Sequence, residues 1–218
     1  MKEFIPSKRR HVSVAPALKE RGGKNENLWF FESPKNDIRF VAKGDLDFVS
    51  FVLLEGDTSV SSYNPYPGPM TFESSGTPQK IEVDASVHFR DGRTEFWQFR
   101  REEPKTRNQG ITNSQFRVIT DKEFRSKEIL FDNWSVLCAA ITRARNYPVI
   151  REAQVLHSEL KERQQVTYGA LLDIQGVEPA LMLSIVAKSL QLGDLQTDLA
   201  NTLFNSSSVL RRSSTCRG

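Results

Sequence analysis

The sequence predicts a mixed α/β domain followed by a small helical module, and three features of the 218-residue chain carry that expectation. Residues 81–101 read as a β-hairpin: an alternating segment, a glycine turn, then a second extended segment. Just ahead, residues 45–54 place apolar side chains at helical spacing. From residue 149 onward, short helical patterns follow one another with cap signals between them. Hydrophobic residues make up 38% and charged residues 26% of the chain, enough for a core without metal or disulfide staples.

Residues 1–27 are polar and basic, broken by Pro6, Pro16 and Gly22-Gly23, and read as a flexible basic arm. Residues 28–31 and 37–41 read as short strands around a Ser33-Pro34-Lys35-Asn36 turn. The helix at 45–54 carries Leu46, Val49 and Leu53 on one stripe and stops at Gly56-Asp57. Residues 62–70 hold three prolines and read as an extended loop. In Ile81-Glu82-Val83-Asp84-Ala85-Ser86-Val87-His88-Phe89 the odd positions are apolar or small and the even ones polar. A two-residue Asp91-Gly92 turn would mix the faces of the two strands. A three-residue Arg90-Asp91-Gly92 turn, with Gly92 left-handed, pairs Ala85 with Trp97 and Val83 with Phe99 and keeps one face apolar. The polar face then sets Asp84 opposite Gln98, one diagonal step from Arg100. A strand at 117–120 and helix across 121–147 complete this part, with Trp134, Leu137 and Ile141 in a stripe and Pro148 ending it. Helices to about 164, after Thr167 and from Glu178-Pro179 follow, and a strand pair with a wing fits 194–204. That pattern predicts a winged-helix-like domain over 149–205, behind a domain over 28–148. Residues 206–218, rich in serine and arginine, read as a disordered tail.

Cys138 and Cys216 are far apart and lack CxxC spacing, which points to a reducing compartment and away from structural zinc. No apolar run is long enough to span a bilayer, and residues 1–11 lack the apolar centre of a signal peptide, so the expected location is the cytoplasm. Net charge is only +3. Basic residues cluster at Lys8-Arg9-Arg10, at Arg100-Arg101 with Lys105 and Arg107, at Arg143 and Arg145, and at Arg211-Arg212, as solvated faces or phosphate contacts. No GxxxxGK[ST] loop occurs, so any ATP-dependent step belongs to a partner.

Asp84, Gln98 and Arg100 match the outline of an acidic strand, a turn and a (Glu/Gln)-x-Lys strand, the layout of restriction-like nucleases. Phosphodiester hydrolysis profits from a divalent cation that neutralises phosphate and acidifies water. Mg²⁺ prefers oxygen ligands, which carboxylates, an amide and a peptide carbonyl on adjacent strands supply. A cation two residues past the second ligand lies on the same face and can stabilise developing charge.

The wider chain resembles the TnsA family, the endonuclease subunits of heteromeric bacterial transposases. Gly44-Asp45-Leu46-Asp47, continuing through Leu54-Glu55-Gly56-Asp57 to Tyr63, is similar to the family's Ser-x-Leu-Glu helix and the acidic turn after it. Val83-Asp84-Ala85 resembles its metal-binding strand, and Gln98-Phe99-Arg100 its Gln-x-Lys or Glu-x-Lys. Residues 117–123, Arg-Val-Ile-Thr-Asp-Lys-Glu, resemble the strand and turn that close its nuclease domain. The ordered set spans about 28–137 and implies a restriction-endonuclease-like mixed sheet flanked by helices. It also implies Asp47, Asp84, Gln98 and Arg100 as catalytic residues, with Asp47, Asp84, Gln98 and the Phe99 carbonyl holding Mg²⁺ or Mn²⁺. The implied activity is cleavage of the 5′, non-transferred strands at transposon ends. The implied partners are double-stranded DNA, a DDE transposase (TnsB-like) and an AAA+ ATPase regulator (TnsC-like).

Two positions depart from the family pattern. Asp47 stands for a glutamate and shortens the reach by one methylene, about 1.5 Å. Arg100 stands for a lysine, and a guanidinium does not give up its proton. These departures motivate an alternative, an inactive architectural subunit, and a third reading is a restriction-type or junction nuclease working alone. Among lesser candidates, Glu32 is an acid near the core, His88 lies beside Asp84, His11 and His157 lack partners at metal spacing, and Trp97 and Phe99 read as core.

Overall fold

A computed structural model describes residues 10–11, 27–74, 77–102 and 115–213. Most of the expected arm, Lys105, Arg107 and Cys216 lie outside the described residues. The chain divides into two compact units: one groups Glu32–Ile38 with the described part of Ile129–Gly218, the other the described part of His11–Phe31 with that of Arg39–Glu128. Along the chain, the last change from one unit to the other falls after Glu128.

The second of these units holds the hairpin. Its central sheet has strands β4 (Val60–Ser74), β5 (Thr77–Phe89), β6 (Thr94–Arg100) and β7 (Phe116–Thr120), hydrogen-bonded in that order. β5 runs antiparallel to both β4 and β6, and β7 runs parallel to β6. The β5–β6 register is the one the three-residue turn requires: Ala85 opposes Trp97, and Gly92 sits at φ 87°. A two-residue turn would have exposed Val83, Ala85 and Val87, which are all buried. Helix α1 (Asp45–Gly56) packs on β4 and β6. Its deepest side chains are Phe51, Val52, Leu54 and Glu55; the expected stripe of Leu46, Val49 and Leu53 is only half-buried. Glu55 is tolerated there because it accepts a 2.6 Å hydrogen bond from the Tyr63 hydroxyl.

The proline-rich segment expected as a loop is instead the long edge strand β4. Proline removes a ladder donor, and an edge strand has one side on which no ladder bond is needed. The register also shifts between Pro65 and Gly68, a bulge that takes up the proline run. A smaller sheet orders β1 (Arg10–His11), β3 (Ile38–Lys43) and β2 (Leu28–Ser33) as β1-β3-β2.

In the other unit, helices α2 (Glu128–Ala144), α3 (Ile150–Arg163), α4 (Tyr168–Leu172) and α5 (Pro179–Leu192) accompany a sheet ordered β8 (Gln165–Thr167), β10 (Val209–Arg212), β9 (Leu195–Gln196). Thr167 caps α4 by accepting from the Ala170 N–H, Pro179 opens α5, and Gly193 closes it in the left-handed region. The expected tail begins too early: residues 206–213 are ordered, with Leu210 fully buried on β10. Asn133 of α2 ties down the loop between β9 and β10. Its amide donates to the Leu199 and Thr202 carbonyls, each at 2.8 Å, and its oxygen accepts from the Phe204 N–H at 2.7 Å. Asn133→Ala strands these groups and is expected to cost about 2–3 kcal/mol, read from urea unfolding of the full chain. Among the described residues no helix is long and apolar enough to cross a membrane.

Candidate active site

The hairpin register puts Asp84 and Gln98 on the polar face of adjacent strands. Asp84 Oδ2 accepts from the Phe99 N–H at 2.7 Å, and Gln98 Nε2 donates to the Glu82 carbonyl at 2.9 Å, so both side chains are oriented by backbone. Arg100 follows on the same strand. Its Nη1 donates to the Phe99 carbonyl at 2.7 Å and lies 3.5 Å from Asp84 Oδ2. The Phe99 carbonyl, expected as a metal donor, is thus in contact with the guanidinium expected to face phosphate.

Asp47 reaches this region from the first turn of α1. Gly44, at φ 98°, turns the chain out of β3, and its N–H donates to the Asn27 carbonyl at 2.8 Å. Only glycine enters that conformation without strain. The turn leaves Lys43 at the end of β3 and Asp47 one residue inside the helix from Leu46. Asp45 beside them accepts from Asn27 Nδ2 and Trp29 Nε1, and these two bonds hold its carboxyl below the usual range.

Tyr66, on the β4 bulge, links the two ends of that turn. Its hydroxyl donates to Asp47 Oδ2 at 2.6 Å and accepts from the Lys43 N–H at 2.8 Å. The Lys43 ammonium lies 4.9 Å from the centre of the Tyr66 ring. Tyr66 has φ 51°, a left-handed conformation that a bulky residue adopts only under constraint. The bulge supplies that constraint and aims the side chain at Asp47. Phe40 and Phe51 meet its ring edge-on, at 6.4 and 5.7 Å between centroids.

Burial pushes the Asp84 carboxyl above the usual range. The Phe99 N–H, Arg100 and Lys43 pull it down but do not cancel the burial, and Glu82 adds to the rise. Burial also raises the Tyr66 hydroxyl, reinforced by the charge of Asp47, its hydrogen bond, and the charge of Asp84. Tyr66 therefore stays a donor throughout the working range of pH, and both aspartates act on one hydroxyl.

Among the described residues no group of three or more His, Cys, Asp and Glu side chains converges. The oxygen donors here are two carboxylates, an amide and a carbonyl, a set suited to a hard cation and unsuited to zinc. Asp84 and the Phe99 carbonyl already share a positive charge, the Arg100 guanidinium, and Asp84 remains under-neutralised beside it. The residues fit a hard divalent cation, provided that Arg100 moves aside. Its side chain is 44% exposed, so it has room to do so.

The lesser candidates have structural duties. Glu32 and Asp37 both pair with Arg145, at 2.7 and 2.8 Å. His88 Nδ1 lies 3.0 Å from Thr94 Oγ1. Trp97 is half-buried with Arg117 over its ring, and Phe99 is core, edge-on to Phe51. Lys43 and Tyr66 went unrecognised from sequence; the one local signal was a tyrosine next to Pro67-Gly68 in an otherwise extended run. No protein-family model matches the chain, and no curated protein matches it in sequence.

Proposed function

We propose that this is the active site of a Mg²⁺-dependent DNA endonuclease, on a restriction-endonuclease-like core similar to that of TnsA. Mn²⁺ is an expected substitute. The observation that carries this reading is the convergence of Asp84, Arg100 and the Phe99 carbonyl at one point of the hairpin, next in sequence to Gln98, with Tyr66 bonded to Asp47 and subject to the charge of Asp84. The order helix, three antiparallel strands, then a strand parallel to the third supports it. Asp47, Asp84, Gln98 and the Phe99 carbonyl would hold the ion, whose chemistry is to neutralise the scissile phosphate and acidify the attacking water. The Phe99 N–H keeps Asp84 facing the reacting phosphate. Tyr66 fixes the carboxylate of Asp47, offsetting the loss of a methylene relative to glutamate by removing rotamer freedom. Arg100, swung off the Phe99 carbonyl, contacts a phosphate oxygen.

The reaction is cleavage of the 5′, non-transferred strands at transposon ends, with a DDE transposase acting on the other strands. In the C-terminal unit, helix, strand, two helices, strand, loop, strand is the order of a winged helix. Its two usual DNA-reading parts are poorly suited to that task. The exposed start of α5 offers Glu178, Pro179 and Ala180, and Asn133 holds the loop between β9 and β10. A groove between α3 and α5 has Leu156 and Leu160 on its floor and Lys161, Lys188, Arg211 and Arg212 on its rim. Arg211 Nε donates to Gln165 at 3.0 Å and Arg212 Nη2 lies 3.0 Å from His157 Nδ1, so both guanidinium groups are held at the rim of this groove. This favours docking of an acidic segment of an AAA+ ATPase regulator. The double variant Arg211→Glu, Arg212→Glu is expected to weaken capture of that ATPase at least about tenfold, by pull-down at two salt concentrations, with Mg²⁺ binding unchanged.

One observation favours the rival reading of an inactive architectural subunit: the guanidinium of Arg100 occupies the place where Asp84 and the Phe99 carbonyl would meet a metal. Calorimetric titration of the wild type with Mg²⁺ and Mn²⁺, alone and with duplex DNA, separates the two. Saturable binding lost in Asp84→Ala supports the nuclease; no binding under any of these conditions supports the architectural subunit.

A further inference from the structure

The nuclease reading gives Arg100 a phosphate oxygen only after it leaves the Phe99 carbonyl, and one cation alone meets little of the charge that builds on phosphate. The site contains a second cation, supplied by a different sheet. Lys43 ends β3 directly before the Gly44 turn, with its main-chain N–H bonded to the Tyr66 hydroxyl and its ammonium 4.9 Å from the Tyr66 ring centre.

We propose that Lys43, carried on the ring of Tyr66, is a catalytic residue of this site, the cation that binds a non-bridging oxygen of the scissile phosphate. This rests on the nuclease reading and adds to it a residue that the Gln-x-Lys pattern does not contain.

Three features support the assignment. Tyr66 is held by two edge-on rings and by its bond to Asp47, so the surface on which the ammonium rests is fixed. Its φ of 51° on a bulge is a cost retained at this one place in β4, and the effect of that backbone is to bring a ring between Lys43 and Asp47. The charge of Lys43 also acts on Asp84, so the ammonium lies within electrostatic reach of that carboxylate. Arg117, Arg93 and Lys127 also lie over aromatic rings, but none of those rings bonds to a site carboxylate in its described contacts.

Chemically, hydrolysis forms a P–O bond to the water oxygen and breaks one P–O ester bond. One water proton ends on the leaving oxygen and the other on solvent. The phosphoryl oxygens carry more negative charge midway than at the start, and an ammonium on a flexible stem can follow them alongside Arg100. The role of Lys43 in this step is electrostatic, with no proton transfer assigned to it.

The test uses the full chain, a 20-base-pair duplex and Ca²⁺ for binding, and a supercoiled plasmid with Mn²⁺ for nicking. Lys43→Met keeps the stem on the ring, and Lys43→Arg keeps the charge. Expected for Lys43→Met are Mn²⁺ binding that is retained by calorimetry, a salt slope of duplex binding shallower by about one, and nicking slower by about 100-fold. Lys43→Arg should recover the salt slope. If wild type binds metal and duplex and Lys43→Met matches its salt slope, Lys43 makes no phosphate contact and the proposal is overturned. If wild type binds no metal even with duplex, the nuclease reading fails first, and Lys43 with it.

Discussion

Asp84→Asn is expected to abolish saturable Mg²⁺ and Mn²⁺ binding and to lower DNA cleavage by about 1,000-fold or more, while raising the melting temperature of the protein at neutral pH. The two effects share one cause. Burial drives the Asp84 carboxyl above its ordinary value of 3.8, and the Phe99 N–H, Arg100 and Lys43 do not restore it. A carboxylic group with a raised value in the folded state binds its proton more readily folded than unfolded. Stability therefore falls as pH rises through the window between the ordinary and the raised value, and it stays lower above that window. An asparagine keeps the oxygen that accepts from the Phe99 N–H and removes the buried charge. The loss of the 3.5 Å pair with a half-exposed Arg100 is a small cost. The advantage of Asp84→Asn should thus be present at pH 7 and vanish on acidification below the ordinary aspartate range. Melting curves across pH check the sign. A variant less stable than wild type at pH 7 would mean that Asp84 is a stabilising ion-pair member, and the functional reading of its burial would fail.

Such a cost in stability is what a site pays for holding charge ready, and it was partly legible in the chain. The alternation from Ile81 to Phe89 and the Arg90-Asp91-Gly92 turn determine register, because any slip would expose Val83, Ala85 and Val87. Register alone then sets Asp84 opposite Gln98. The caps at Thr167, Pro179 and Gly193 were equally local signals. What escaped was nonlocal. β4 looks like a loop because three prolines are incompatible with a central strand, and nothing in the segment says that it lies at an edge. β10 is a four-residue strand in a serine- and arginine-rich stretch, and its reason to exist is pairing with β8 and β9, which are remote in sequence. Lys43 and Tyr66 meet across 23 residues through a bulge, and a left-handed tyrosine leaves no trace in periodicity.

Arg100→Ala is expected to bind Mg²⁺ or Mn²⁺ more tightly than wild type, by about tenfold, because the guanidinium now in contact with the Phe99 carbonyl and near Asp84 must leave before a metal arrives. A residue that merely decorated the site would have the opposite or no effect. Cleavage then separates the two functional readings. In an active nuclease Arg100 returns to phosphate once the metal is seated, so Arg100→Ala should bind metal better yet cut DNA about 10- to 100-fold more slowly. In an architectural subunit the same variant gains metal affinity from a negligible base, and neither protein cuts. The pair Asp47→Glu with Arg100→Lys sharpens the contrast. Glutamate restores the longer reach, although it must share the space in which the Tyr66 hydroxyl now holds Asp47. Lysine restores a cation that leaves the Phe99 carbonyl open. Cleavage that appears only in this double variant would show a site that has lost its chemistry. Cleavage already present in wild type, and little changed in the double variant, would show that Tyr66 and the two native residues together form a working site.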